Sequence, residues 1–380
     1  MVKNSYETVI VGGGISGLAC ARSLCEKGRD FLLISEDIGG RILASKDGAT
    51  NLGAFFVCSD YFHFLKFAKI KNRIKLSDFC FHENGETFVF FEPVLLKYSF
   101  QMIKILKLLY KFRKAFRRLR KTCETISQKK AIENDSFLYQ LFMENAADFV
   151  KRIHIEKGTN KYLSKGLYST TFSKINEMNA FSFMEFCLPL ITPIYTFSFE
   201  KDKIIQPFSD NILIRHLDEI TYKNNFYKIK INKEFVQAKN IVLATEITCS
   251  KRFAGVYKTN LPVNTNMYYI KGKPKEIISE KSYHLFNPGN NIQAIANLKN
   301  SSFLFYYKNK KPSLNLFFNK AEIIESKTWN CTGTINGHEL IESNRGNNLY
   351  LIGDFNIAGL EDAYITGIYA ANQIVTKNYK

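Results

Sequence analysis

The sequence predicts an α/β chain with a Rossmann-like nucleotide-binding domain and a second, mixed α+β domain. Three observations carry that expectation. The chain opens on a short apolar strand, a glycine-rich turn and a helical pattern, and its later half holds several alternating strand patterns. At 380 residues it is also long for one hydrophobic core, which favours two domains.

YETVIV (6–11) reads as a buried strand, and GGGISGLACARSLCEKG continues as a helix with Ile15, Leu18, Ala19 and Leu24 at roughly helical spacing. Between them lies Gly12-x-Gly14-x-x-Gly17. The first glycine permits a tight turn, the second admits a pyrophosphate against the backbone, and the third lets helix and strand pack closely. The helix N-terminus, with Ser16 in its first turn, offers free N–H groups to phosphates. FLLIS (31–35) is the second strand, and an acidic residue at its end would hold ribose hydroxyls; Glu36, nineteen residues past Gly17, is the candidate. The chain then places Gly39, Gly40 and Arg41 in succession, which brings an anion close to the backbone beside a guanidinium.

IVGGGISGL, an acidic strand end and GGR together resemble the opening of the flavin-containing amine oxidase superfamily. That group includes monoamine and polyamine oxidases, protoporphyrinogen oxidase, phytoene desaturases and renalase-like proteins. The resemblance implies FAD as cofactor, with Gly40 against the diphosphate and Arg41 neutralising part of its charge. The linker from strand to GGR is shorter than usual in that family, so Ser35 stands where the ribose-binding Glu usually does. Either Glu36 serves from one place further on or the ribose contact is weaker.

Further segments match the same family in order. GATNLGAFFV (48–57) is similar to a stretch that passes near the flavin at Gly53, Ala54 and Phe55, with Asn51 where Asp is common. KNIVLATEI (239–247), after the alternating FYKIKI, resembles the strand that ends in an Ala-Thr turn beside the cofactor. NNLYLIGDFNIAGLEDAYITGIYAANQI resembles the family's closing strand and helix, with Asp354, Leu360, Glu361 and Ala363 toward the cofactor and Thr366 in place of Ser. The connection before FYKIKI is short, which leaves the adenine-side contact near Ile220. The resemblance thus implies a discontinuous FAD-binding domain from 1–75, 202–262 and 333–380, and a substrate or cap domain from 76–201 and 263–332.

Within the second domain, residues 135–200 read as helices rich in Phe and Tyr, and NMYYIKGK, KSYHLFN, NIQAIANLK, SFLFYYKN and SLNLFF read as strands. Trp329 is placed to line a pocket or to fill the core; Tyr268, Tyr269 and Lys271 are further pocket candidates suggested by the family's aromatic pair and lysine. No catalytic residue is assigned. The six histidines show no metal-ligand spacing, so no metal is expected, and there is no GxSxG.

Residues 94–121 form a basic amphipathic pattern without an acidic residue: Lys104, Lys107, Lys111, Lys114, Arg118 and Lys121 on one face, Ile105, Leu109, Phe112, Phe116 and Leu119 on another. Its readings are a cap-domain helix with its apolar stripe in the core, or a helix resting on an anionic membrane. A formal charge of +18 fits an anionic cofactor, a membrane surface or nucleic acid, but no nucleic-acid module accompanies the basic helix. Eight scattered cysteines without a CxxC pair, and an N-terminus without a leader pattern, favour the cytoplasm, with peripheral membrane attachment as the variant. The apolar run SFMEFCLPLITPIYTFSF is interrupted by Glu185, Pro189 and Pro193 and does not read as a membrane span.

The resemblance implies an FAD-dependent oxidoreductase that takes a hydride from a small amine or a lipophilic substrate at flavin N5. A desaturase, a redox-neutral mutase or isomerase, and a non-catalytic or RNA-associated FAD-binding protein are the alternatives. No second GxGxxG for a nicotinamide cofactor is present, which points to dioxygen or another small molecule as electron acceptor. Substrate and oligomeric state are not readable.

Overall fold

The computed structural model describes residues 3–278 and 280–377. One seven-stranded sheet is assembled from three distant stretches of chain. Its strands run in the order Ile212–Ile214, Phe31–Ser35, Ser5–Val11, Glu234–Leu243, Phe226–Ile231 and Glu219–Lys223. Leu349–Leu351 pairs in parallel with the far end of Glu234–Leu243. The Val9, Ile10, Leu32, Leu33, Ile241 and Val242 side chains are buried, which explains the unbroken apolar runs at its centre. Its seven strands come from residues 5–35, 212–243 and 349–351.

A second seven-stranded sheet runs Phe318–Asn336, Leu261–Pro274, Ser302–Tyr307, Ile292–Lys299, Tyr283–Phe286, Phe79–Glu83 and Glu86–Val89. It is antiparallel except where Tyr283–Phe286 pairs with Phe79–Glu83. Four of the five strand segments read from the sequence lie in it. The fifth, SLNLFF, does not: Leu314–Leu316 is a 3-10 turn and the strand begins at Phe318. Leu316 points outward, so apolar composition there did not signal burial. A small third sheet pairs Phe56–Cys58 and Ala68–Ile74 with Ile194–Phe199, so the strand at 194–199 joins the first stretch of chain rather than the helices before it.

The expected helices fill 128–187, with Ala180–Cys187 at their centre. The basic segment forms a helix over Ser99–Thr122, after a 3-10 stretch at Pro93–Tyr98. Ile105, Leu109, Phe112, Phe116 and Leu119 are buried against Leu138, Phe142 and Phe181, so its apolar stripe belongs to the core. Among the described residues, no helix is long and apolar enough to cross a membrane.

Candidate functional site

A cavity of about 1120 Å³ runs from the glycine turn to the inner face of the second sheet. Gly12, Gly14 and Ser16 line it at one end. The three motif glycines have separable reasons. Gly12 has φ +112°, and a Cβ there would meet Ala244 O at 2.7 Å. A Cβ on Gly17 would stand 2.0 Å from Gly12 O, so helix and turn pack with no room for a side chain. A Cβ on Gly14 would meet nothing within 4 Å, and any larger side chain would enter the cavity. The helix Ile15–Glu26 begins here without a side-chain cap, leaving its first N–H groups for a ligand.

The strand ends beside this turn supply the polar groups. Ser35 Oγ accepts a hydrogen bond from Gly13 N at 2.8 Å, so it shapes the glycine turn. Glu36 lies on the cavity rim and pairs with His216, whose imidazole pKa is raised by that hydrogen bond. Gly40, Arg41, Gly53, Ala54 and Phe55 all line the cavity. Arg41 donates to Asp354 Oδ1 at 2.7 Å and to Thr332 O at 2.5 Å. Burial disfavours the charged guanidinium, and the Asp354 carboxylate more than offsets that, so Arg41 stays a cation facing the cavity. Asp354, Leu360 and Ala363 line the wall at the start of the helix Leu360–Lys377. Ile220, Ala244 and Thr245 line it too. Thr366 accepts from Gly353 N at 3.0 Å and donates to Ala363 O at 2.6 Å, which fixes the turn that carries Asp354.

Two expectations need correction here. Glu361 is fully buried outside the cavity, and its carboxylate accepts from the backbone N–H groups of Phe62, His63 and Phe64 at 2.8, 2.9 and 2.9 Å. It anchors that loop to the helix N-terminus, where a carboxylate is favoured. Tyr268, Tyr269 and Lys271 are not on the cavity wall. Tyr268 packs at a tilt against Tyr307 with ring centroids 4.9 Å apart, Tyr269 donates to Asp47 Oδ2 at 2.9 Å, and Lys271 is exposed. Trp329 does line the cavity, and its ring edge is 3.5 Å from a Cβ built on Gly53.

Sequence reasoning missed Asp37, Arg215, His216 and Glu246 on the nucleotide end of the wall, and Phe79, Phe81, Tyr162 and Tyr283 on the other. The RH pair follows the short strand Ile212–Ile214, and its place at a parallel strand end was the available signal. The charged side chains of the wall are Glu36, Asp37, Arg41, Arg215, His216, Glu246, Asp354 and the exposed Lys327. The far chamber, by contrast, holds no charged side chain among the described residues: Phe, Tyr, Leu and Ile predominate, with Ser169, Thr170 and Thr171 among them.

A small cavity of about 40 Å³ lies behind Gly359, lined by Asp60, Tyr61, Arg120, Glu185 and Thr192 among others. Arg120 forms a buried bidentate pair with Asp362 at 3.0 and 2.6 Å, and Asp60 accepts from Arg113 and Arg117. Glu185 Oε2 has no partner; burial, reinforced by Asp362, pushes its carboxyl well above the usual range. Burial thus favours the protonated form of Glu185.

The histidines depart from their sequence spacing. Cys80, His82 and His284 gather on one sheet face, with His82 Nε2 and His284 Nδ1 3.0 Å apart. His284 Nε2 lies 3.2 Å from Lys281 O, so the imidazoles form a neutral relay that ends on a carbonyl, and burial holds both pKa values down to about 4.

The open face at Gly14, the uncapped helix N-terminus and the Arg41 guanidinium fit a dinucleotide diphosphate. Residues 10–68 match the family model of an NAD(P)-binding Rossmann-like domain. No curated protein sequence matches the chain. Solved structures do. Putrescine oxidase bound to putrescine aligns at 12% identity over 98% of this chain and 99% of that one, with a TM-score of 0.68. Cyclohexylamine oxidase from Brevibacterium oxydans aligns at 13% identity over 99% and 100%, with a TM-score of 0.67. A fatty acid isomerase from P. acnes, described as producing CLA, aligns at 12% identity over the full length of both chains, with a TM-score of 0.68. The fold inferred from the glycine segments is thus the fold found, over the whole chain.

Proposed function

We propose that the chain is an FAD-dependent oxidoreductase acting on a lipophilic small molecule. The observation that carries this reading is one continuous cavity with two different ends: glycine backbone, a helix N-terminus and Arg41 at one, and an uncharged aromatic and aliphatic chamber at the other. FAD, when bound, supplies the hydride acceptor that the side chains lack. The chain itself supplies the rest. Gly14 and the uncapped N–H groups receive the diphosphate, Arg41 offsets its charge, and Glu36 with His216 meets the ribose side. The helix starting at Leu360 faces the redox end, where its N-terminal partial charge favours negative charge. The FAD-binding domain is assigned to 1–75, 202–262 and 333–380.

The uncharged chamber argues for a lipophilic substrate over a di- or polyamine. An ammonium carried past Phe79, Phe81 and Tyr283 would lose water without gaining a carboxylate. A redox-neutral conversion, such as isomerisation, is the second reading, favoured by the full-length likeness to a fatty acid isomerase. The experiment is anaerobic mixing of the flavin-loaded protein with amines and with unsaturated fatty acids or other lipophilic compounds. Bleaching by a lipophilic compound supports oxidation, and product without bleaching supports isomerisation. Bleaching by polyamines alone overturns the substrate class.

A further inference from the structure

The basic helix does not present a uniformly charged face. Phe100, Ile103, Lys107, Tyr110, Lys114, Arg117 and Lys121 recur at spacings of three and four and are all exposed, so they share its outer face. The end near Phe100 is apolar, and the rest presents Lys107, Lys114 and Lys121, with Arg117 held by Asp60. The segment leading into it continues the apolar end: Phe91 is 63% exposed, Leu96 76%, Phe100 79% and Ile103 51%. Such side chains, gathered within thirteen positions with Lys97 among them and Lys104 just after, leave a large apolar area in water. The nearest acidic residue in sequence, Glu92, spends its carboxylate on Val89 N–H.

The same patch adjoins the chamber. Phe91 packs edge-on against Phe90 with ring centroids 5.2 Å apart, and Phe90 lines the cavity together with Tyr162. Tyr98, in the turn before the helix, packs against Tyr162 from the other side. Phe90 and Tyr162 therefore stand between the cavity and the Phe91 and Tyr98 rings at the edge of the exposed patch.

We propose that this face docks on an anionic lipid bilayer, with Phe91, Leu96, Phe100 and Ile103 entering the acyl boundary and the lysines of the helix lying along the headgroups. The helix of 24 residues spans about 36 Å, enough to rest its cationic length on several headgroups. Charge complementarity selects this occupant. A second copy of the chain would bring lysines against lysines, since 93–122 holds no acidic residue. The proposal rests on the lipophilic-substrate reading and adds a source for that substrate: the bilayer delivers it at the Phe90 and Tyr162 end of the cavity.

The test is flotation of the purified, flavin-loaded protein with vesicles of phosphatidylcholine alone or mixed with phosphatidylglycerol, at low and high salt. Two variants accompany it: Leu96→Ser/Phe100→Ser/Ile103→Ser and Lys97→Gln/Lys104→Gln/Lys107→Gln, all at side chains that carry no core packing. Binding to the mixed vesicles is expected, weakened by salt and by the lysine changes. The apolar triple variant should lose about tenfold or more in partition, because the side chains it replaces are those that enter the acyl boundary. Unchanged flotation of either variant overturns the proposal, as does a dimer in solution that the apolar variant dissociates while vesicles recover no wild-type protein. Flotation does not depend on turnover, so a failed docking result leaves the flavin reading standing, and a failed bleaching assay leaves the docking result standing.

Discussion

Arg41 and Asp354 are separated by 313 positions in the chain and meet through a hydrogen bond of 2.7 Å on the wall of the main cavity. Each was expected to face the cofactor; the structure adds that they hold each other. The pair joins the first and last segments of the proposed nucleotide-binding domain and leaves Arg41 charged. Arg41→Ala should lower FAD affinity by about tenfold to a hundredfold, as expected for losing a charge-assisted hydrogen bond of about 1.5–3 kcal/mol. Fluorescence titration of the flavin-stripped protein measures it. Unaltered affinity would remove Arg41 from the diphosphate site.

The glycine turn separates folding from binding. Gly17→Ala forces a Cβ into Gly12 O and should lower the melting temperature even without ligand. Gly14→Val, in open space, should leave the melting temperature of the ligand-free protein nearly unchanged and abolish the gain that added FAD gives. Thermal scans with and without FAD distinguish the two. Equal effects of both changes would contradict the separate roles.

How far the sequence foretold this site follows from what each residue depends on. Gly12, Gly14 and Gly17 answer to backbone geometry within a few positions, and that geometry is written locally. Tyr268 lies on the strand face turned away from the cavity, whereas Tyr269 and Lys271 share the alternation of the cavity residues Val263 and Thr265 but sit further along the same long strand, and alternation fixes a face without saying where along it the cavity ends. The buried Arg120 was unreadable within a basic helix, because its partner Asp362 is 242 positions away. Glu361 was mistaken for a cavity residue because its neighbours in the motif, Leu360 and Ala363, do line the wall.

Burial of Arg120 and Asp362 makes their pairing costly to break and cheap to replace. Arg120→Met should destabilise the fold by about 3–5 kcal/mol by leaving a buried carboxylate uncompensated, whereas Arg120→Met/Asp362→Leu should recover most of that loss. Chemical denaturation of both variants checks the sign and the recovery.

Glu185 sets a pH dependence of opposite sign to that of most carboxyls. Its folded pKa is raised above the ordinary value of 4.5, so the stability tied to its proton is fully present below 4.5 and is lost as pH climbs toward the folded value. Glu185→Gln should therefore unfold at a higher temperature than wild type at pH 7 and at nearly the same temperature near pH 4. A Gln variant less stable at pH 7 would mean that the carboxylate is ionised and partnered.

The central claim is that one cavity, closed by segments from both ends of the chain, holds a single FAD. Its most direct test is the flavin content of the purified protein, read from its visible spectrum before and after incubation with excess FAD and removal of free ligand. The account predicts one bound flavin per chain, released on denaturation as FAD. A colourless protein that retains no flavin after loading would contradict it.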